Sequence, residues 1–550
     1  MMKNALLAAG STLAMCTAMP ALAQDSADTA ARDANEIVVT AQKRSERLQD
    51  VPISISVVTG EQMQQSGGSQ LTDYAAYVPG LQVDNAGSPG RSTLSLRGVA
   101  PIGPSATVGI YLDDAPIGSS GIYNRSQVFT LDLLPYDIER LEVLRGPQGT
   151  LYGASSIGGL FKYVTVQPDL RDLKAKATGE VFTISNADDM GWAASAMVSV
   201  PIIADELAIS GSYSRRETPG FIDNILTGDK DVNDAVQQGA RAAVLWQPDP
   251  ALTIKLSAIW QKTDSDNQGI LYEGLGGAPL AAEAEFLSTN NQLADPFTSE
   301  FQYYSGSIAY DFGFAELSST TSYSKLDIFE VSDASRVFGG AFGGLAPFPS
   351  ELLQKKFTEE VRLTSAPSTS FEWMVGFFFT DEDNTHSQIV RALDFSLNPI
   401  PGVDPFAIVG LPNTYKEYAV FGNATWKLSE AFHLTGGLRW ARNDQTFTQL
   451  TEIPLAGLSI GGDGTSREEV VTYSVSPQFI IDPDTMIYAR VATGYRPGGP
   501  NVALPGFPTT VGSERVTSYE AGIKAVFLDR AVSIDASVFM LDWDDLQTSA

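Results

Sequence analysis

One cysteine, Cys16, and two histidines, His386 and His433, are all that 550 residues hold of the usual thiol and imidazole chemistry. Cys16 falls inside an apolar N-terminal run that reads as an export signal. The exported chain then carries no cysteine, which excludes disulfides, thiolate catalysis and thiolate metal sites. Neither histidine has a second ligand at metal spacing. A Gly-x-Ser-x-Gly element, a His-Glu-x-x-His helix and a Lys-Ser/Thr-closed phosphate loop are all missing. An enzyme is therefore not indicated, and neither cofactor nor metal is expected. Acidic pairs such as Asp113-Asp114, Asp381-Glu-Asp383 and Asp544-Asp545 read first as solvated charges, with weak calcium binding as the other reading. Basic residues are scarce: 36 Lys and Arg face 65 Asp and Glu, a formal net charge of −29. That balance argues against binding to nucleic acid through its phosphates. Beyond the first 23 residues no run approaches the roughly 20 apolar residues of a membrane helix. A membrane barrel is not excluded, because its strands alternate and average to neutral hydropathy.

What is present begins with export. Lys3, the apolar residues 5–19 and Ala21-Leu-Ala23 make a signal peptide over residues 1–23, with cleavage before Gln24. A lone membrane anchor is the other reading, and the run is short for it. Residues 24–35 are small and polar, a flexible leash. Next comes a short β-branched run, Glu36-Ile-Val-Val-Thr-Ala41. Nothing beside it in sequence offers it a core, and a free strand of this kind suits addition to another protein's open sheet edge.

From residue 171 onward the pattern has period 2. Leu252, Ile254, Leu256, Ala258 and Trp260 share one face, opposed by Thr253, Lys255, Ser257, Gln261 and Thr263, with Ile259 as the exception. Residues 432–443 and 474–481 alternate likewise. Tight turns at 203–206, 248–250, 311–313, 367–369, 429–431, 482–485 and 528–530 are spaced by long polar stretches near 264–300, 328–354, 382–413, 444–467 and 496–514. Short connections on one side and long ones on the other describe a transmembrane antiparallel β-barrel. A soluble sandwich or propeller is the alternative, and such folds rarely hold several loops this long. Trp260, Tyr323, Trp373, Trp440, Tyr495 and Trp543 are expected in interfacial girdles. About 15 strands are expected here, against about 22 in barrels wide enough to hold a plug. The barrel of residues 171–550 is therefore expected to be C-terminally incomplete. Residues 46–170 differ. They are rich in Gly and Pro, with short β segments at 51–58, 93–97, 108–112 and 140–144 and one amphipathic stretch, 71–78. They read as a compact α+β domain.

The chain resembles the TonB-dependent outer-membrane receptors of Gram-negative bacteria. Residues 36–41 resemble the TonB box, and Val51-Pro-Ile-Ser-Ile-Ser-Val-Val58 the first plug strand. Leu96-Arg-Gly98 and Gly109-Ile-Tyr-Leu-Asp-Asp-Ala-Pro116 resemble the plug centre. Ile138-Glu-Arg-Leu-Glu-Val-Leu-Arg-Gly-Pro-Gln-Gly-Thr-Leu-Tyr-Gly153 is the strongest signature, and Gly494-Tyr-Arg-Pro-Gly-Gly499 resembles a barrel motif. The segment Ala154-Ser-Ser-Ile-Gly-Gly159 departs from the usual Arg-Asn-Ala-Ile-Gly-Gly. The resemblance implies an N-terminal α+β plug inside the barrel, with Glu36, Ile37, Val38, Val39, Thr40 and Ala41 binding TonB. Arg97, Gly98, Gly146, Gly149, Gly153, Gly158 and Gly159 then belong to the plug motif. So do Glu139, Arg140, Glu142 and Arg145, which are expected to pair with the polar barrel wall.

The implied function is active import of a scarce nutrient, a siderophore–iron complex or another large substrate, across the outer membrane. TonB and its inner-membrane energising complex, the outer membrane, the nutrient and the barrel-assembly machinery are the implied partners. The leash leaves no room for a signalling domain, so transport rather than transcriptional control is expected. Arg91, Arg97 and Tyr111 are the expected cargo contacts. The loop aromatics Tyr272, Phe297, Phe338, Phe342 and Phe348 either stack on cargo or pack the loops together. Acidic loops favour a neutral or cationic cargo. The competing classes are a passive substrate-specific porin or autotransporter barrel, which has no use for residues 36–41, and a secreted adhesin or enzyme of sandwich type.

Overall fold

The computed structural model describes residues 37–548 apart from 69, 86, 104, 130–131, 269–287, 502–505, 507 and 529–530. The signal segment with Cys16, the leash, Glu36 and Tyr272 lie outside those residues.

One antiparallel sheet of 16 strands forms the wall, with the long strands following one another in chain order. All but the short Ala407–Gly410 run 10 to 25 residues, from Lys174–Thr183 to Leu458–Asp482. At about 3.3 Å per residue, even ten residues reach across an apolar layer about 25 Å tall when tilted. The wall is inside out relative to a soluble fold. Leu256, Ile308, Val375, Val420, Leu438 and Val538 are exposed on its outer face, while Lys356, Glu382, Glu417, Arg439, Arg490 and Glu514 are buried on its inner face. Apolar side chains facing out are stable only against lipid, which rules out the sandwich and propeller.

The short connections fall where the sequence places them, between Met190–Ile203 and Leu207–Thr218, for example, and between Leu458–Asp482 and Thr485–Arg496. One expected loop is not a loop. Residues 444–467 continue Phe432–Ile453 and Leu458–Asp482 as a two-stranded ribbon, turned by Pro454–Ala456. Its glycines suggest a loop, but Thr446, Phe447, Thr448 and Leu450 keep the alternation that favours pairing.

The lumen holds a smaller domain. Strands β1 (Val38–Val39) and β2 (Glu46–Arg47) pair as a hairpin. Then follow β3 (Ile55–Thr59), α1 (Gly60–Gln65), α2 (Leu71–Ala75), β4 (Leu81–Asn85) and β5 (Ser92–Leu96). After them come β6 (Val108–Leu112), β7 (Ala115–Pro116), β8 (Ile138–Arg145), α3 (Gly149–Tyr152) and β9 (Gly159–Thr165). The central sheet has the order β3-β8-β9-β6-β7. Thr59 starts α1 through a reciprocal capping box with Gln62. Leu112, Leu141, Val143 and Phe161 form a core that continues onto the wall through Ile259, Phe301 and Tyr303. Ile259 breaks the alternation of its strand because it points inward at the plug core rather than at a polar surface.

Tyr495 is also displaced from its expected place. It is buried, with its hydroxyl 3.2 Å from Glu417, instead of standing in a girdle. The ladder between Leu458–Asp482 and Thr485–Arg496 stops at Ala492, while Thr485–Arg496 stays paired with Glu514–Phe527 to its end, with Tyr495 inside the lumen against the plug. Tyr323 and Trp440 do face outward.

Candidate functional site at the short-turn end of the barrel

The run at residues 37–41 is not a free strand. Val39 and Ala41, 0% and 1% exposed, pack on Val51, Ile55, Tyr111, Leu144, Tyr152 and Leu160. The core that the neighbouring sequence could not offer comes from the signature strands instead. Ile37 and Val38 remain exposed. The chain reverses at Lys43, whose φ is 58° and whose N–H donates to the Thr40 carbonyl at 3.0 Å.

Polar contacts complete the docking. The Thr40 N–H lies 3.1 Å from each Glu142 carboxylate oxygen, and Glu142 is fully buried. Lys162 Nζ donates to Thr40 Oγ1 at 2.8 Å, and the Tyr152 hydroxyl donates to the Thr40 and Ala41 carbonyls at 3.2 and 3.0 Å. Lys43 reaches Glu360 on the wall at 2.6 Å, and Arg362 joins Glu360 and Asp114 at 3.0 Å each. Lys162 meets Asp114 at 3.2 Å. Arg44 donates to the Trp373 carbonyl at 2.6 Å. One polar chain thus runs from Arg140 through Glu142, Thr40, Lys162, Asp114, Arg362 and Glu360 to Lys43. Below the hairpin, a cavity of about 980 Å³ opens among the short turns, lined by Arg44, Arg47, Glu372, Lys427 and Asp484.

Electrostatics make this docking conditional. Burial lowers the Lys43 ammonium to about 8, against the opposing pull of Glu360. Burial raises Glu46 to about 7. Burial also disfavours the Asp114 charge, but Arg362, Lys162 and Lys43 hold its carboxyl well below the usual range.

The signature charges pair differently from expectation. Arg140 bonds Glu139 at 2.6 Å and Glu142 at 2.8 Å, and Glu142 serves Thr40. Only Arg145 reaches the wall, 4.0 Å from Asp535. The β8 strand lies between β3 and β9, so its side chains meet plug and hairpin before wall. The wall is instead met by Lys43, Arg97, Asp114 and Asp137, the last 2.9 Å from Arg241. The glycines do bring plug and wall together. A Cβ on Gly149 would stand 2.8 Å from the Thr493 carbonyl, and one on Gly153 (φ 76°) 2.7 Å from Arg439 Nη2. Gly494 approaches Ser156 from the wall side, and Ser155 N–H donates to the Tyr495 carbonyl at 3.0 Å. Gly98 and Gly146 turn the chain with positive φ, and Gly158 and Gly159 lead into β9.

Arg91, Arg97 and Tyr111 are not brought together. Arg91 lies 3.3 Å from Glu330 near the long-loop end, beside Gln268. Arg97 pairs with Glu520 at 2.6 Å and stacks over Phe539. Tyr111 donates to the Tyr152 carbonyl at 2.7 Å near the hairpin. Phe338 and Phe342 pack on Phe406, joining two loops, with Phe348 against the same cluster, and Phe297 meets the plug's Phe129. His386 is hydrogen-bonded to Ser350, and among the described residues no group of three His, Cys, Asp or Glu is placed to hold a metal. Sequence reasoning missed Lys43, Asp114, Lys162, Glu360 and Arg362. A signal existed: Glu360 and Arg362 are charged residues two apart in a strand, hence on one face, and Lys43 follows the docked run directly.

Comparison with known proteins agrees with this arrangement. Residues 47–160 match the TonB-dependent receptor plug domain, and residues 246–550 the TonB-dependent receptor-like β-barrel. The pesticin receptor of Yersinia pestis is 26% identical over 96% of this chain and 73% of its own length. Among solved structures, the ferric yersiniabactin uptake receptor of Yersinia pestis has a TM-score of 0.76 at 20% identity, covering 90% of this chain and 73% of its own. A siderophore receptor of Acinetobacter baumannii has a TM-score of 0.70 at 16% identity, over 90% and 73%. A plug inside an inside-out wall, each matched by its own family model, identifies the chain as a member of the TonB-dependent receptors, plugged barrels of the outer membrane that carry out TonB-dependent uptake.

Proposed function

We propose that this importer takes up a siderophore–iron complex, or another large scarce nutrient, and that residues 36–41 are the segment TonB grips. The observation that carries the reading is the docked hairpin. Its inner side chains and the Thr40 amide are tied into the plug, while Ile37 and Val38 face the short-turn mouth. Strand addition needs only backbone, so an exposed start followed by a releasable remainder suits capture and pulling. The relatives' names, a ferric siderophore receptor among them, support an iron-bearing cargo. Residues 1–23 act as the cleaved export signal, residues 24–35 as the leash, and the barrel-assembly machinery inserts the wall.

Deleting residues 36–41 is expected to reduce energised uptake to background while the protein still reaches the outer membrane. Unchanged uptake would point to a passive porin. A peptide of residues 24–45 is expected to bind the TonB C-terminal domain, and growth under iron limitation is expected to require the intact chain.

A further inference from the structure

Four strands that rise from the short turns repeat one outward pattern. Tyr213-x-Arg215-x-Glu217, Trp260-x-Lys262-x-Asp264, Tyr323-x-Lys325-x-Asp327 and Trp440-x-Arg442-x-Asp444 each set an aromatic ring, a cation and an acid two residues apart. Residues two apart share a face of a strand. Here it is the outer face, where Tyr213, Tyr323 and Trp440 are exposed. Two descending strands, Pro347–Ser365 and Asn413–Lys427, carry the first two layers in reverse, as Lys355-x-Phe357 and Lys416-x-Tyr418. Toward the long loops the wall therefore shows rings, then cations, then acids, each layer about 5 Å above the last on a tilted strand. Rings of this kind mark the edge of the hydrocarbon, so the cations stand at the depth of the lipid headgroups and the acids farther out in water.

Most of these cations are matched within the chain. Arg215 meets Glu217 at 2.6 Å, Lys262 meets Asp264 at 2.8 Å, Lys416 meets Asp381 at 3.0 Å and Arg442 meets Asp444 at 3.1 Å. One place differs. Lys325, on Ala315–Asp333, and Lys355 stand directly opposite each other on paired strands. Like charges in that position repel. Lys325 reaches Asp327 at 3.2 Å, in a half-exposed pair that is readily exchanged. Among the described residues Lys355 forms no ion pair, although Asp383 is its neighbour on the other side. One layer below the two lysines, Tyr304, Tyr323 and Phe357 stand opposite one another across three strands, all exposed. Opposed Cβ atoms lie about 5 Å apart, so two flexible lysine stems can close on a single phosphate and each donate to it. The rings beneath offer an apolar floor at the depth of the acyl chains.

We propose that Lys325 and Lys355, above Tyr304, Tyr323 and Phe357, form a seat for a phosphate-bearing lipid of the outer leaflet. The phosphate relieves the repulsion between the two ammoniums, and an acyl chain lies against the rings. Asp327 holds Lys325 when the seat is empty and competes with the lipid for it. The proposal goes beyond the uptake reading and requires only that the wall stand in the membrane.

The test uses the full chain purified in dodecyl maltoside, with lipid A as the phosphorylated lipid and native mass spectrometry as the measure of binding. Lipid A is expected to bind at least tenfold more tightly than its dephosphorylated form. Lys325→Gln with Lys355→Gln is expected to weaken lipid A binding at least tenfold, and Lys325→Arg with Lys355→Arg to retain it. Asp327→Asn is expected to tighten binding at least twofold. Equal binding of the two lipid forms would overturn the proposal in favour of an apolar belt alone. Displacement of lipid A by millimolar inorganic phosphate would overturn it in favour of a free-anion site. A loss as large from Arg215→Gln with Lys262→Gln would also overturn it, because the summed charge of the wall would then account for binding.

Discussion

The hairpin of β1 and β2 and the body of the plug share one lumen and are held in opposite ways. The body is a mixed sheet around an apolar core, with Leu112, Leu141, Val143 and Phe161 fully buried. The hairpin has two registered residue pairs, Val38 with Arg47 and Val39 with Glu46. Beyond these pairs, two small apolar side chains, Val39 and Ala41, sit in a second core, and the rest of its hold is side-chain links: Thr40 to Glu142, Lys43 to Glu360, Arg44 to Trp373 and Tyr152 to two carbonyls. A large packed core gives way cooperatively, whereas a short hairpin with two backbone pairs and a few separate links gives way link by link. A modest force therefore empties the hairpin's seat before it disturbs the sheet.

That contrast can be broken first at the core. Phe161→Ala is expected to destabilise the plug by about 3–5 kcal/mol, read as faster amide exchange throughout β8 and β9. If exchange rises only in the hairpin, the division is wrong. Glu142→Gln keeps the shape but removes the charge that receives Thr40 and Arg140. It is expected to loosen the hairpin by about 1–3 kcal/mol, with roughly ten- to hundredfold faster exchange at Thr40 and none of that change in β9.

Acidity sharpens the comparison further. The Glu46 carboxyl is raised to about 7 in the docked hairpin, so its contribution is full below its free value of 4.5 and is lost as pH rises through 7. Lys43 is lowered to about 8, so its contribution is full above its free value of 10.5 and is lost as pH falls through 8. Docking is therefore weakest between pH 7 and 8 and is expected to strengthen by about 1 kcal/mol at pH 6 or pH 9. A spin label at Ile37 should be most mobile near neutrality; a monotonic trend would contradict the assignment. The smallest effect is expected for Glu139→Gln, whose half-exposed pair with Arg140 is worth about 0.5 kcal/mol or less by thermal unfolding.

Much of the wall was legible in the chain because each strand carries its own instruction. Leu252, Ile254 and Leu256 alternate with Thr253, Lys255 and Ser257 whatever lies opposite. The exceptions mark the plug. Ile259 points into its core, and Gly494 and Tyr495, beyond the end of one of their strand's two wall ladders, meet Ser156 and Ser155. The residue types of the docking site were visible as a β-branched run and a charged signature, but the pairing of Glu142 with Thr40 spans 102 positions in the chain. No local pattern encodes a partner that distant.

Composition and periodicity alone determined that this chain crosses a membrane with strands and carries a separate glycine-rich domain, because period and polarity are properties of neighbours in sequence. Only the tertiary structure decided that residues 37–41 are docked, that Glu142 faces the hairpin rather than the wall, and that Lys43 sits against the Tyr111 and Tyr152 rings. Those facts depend on which segments the barrel brings within about 3–4 Å of one another, the reach of a hydrogen bond or a close ion pair.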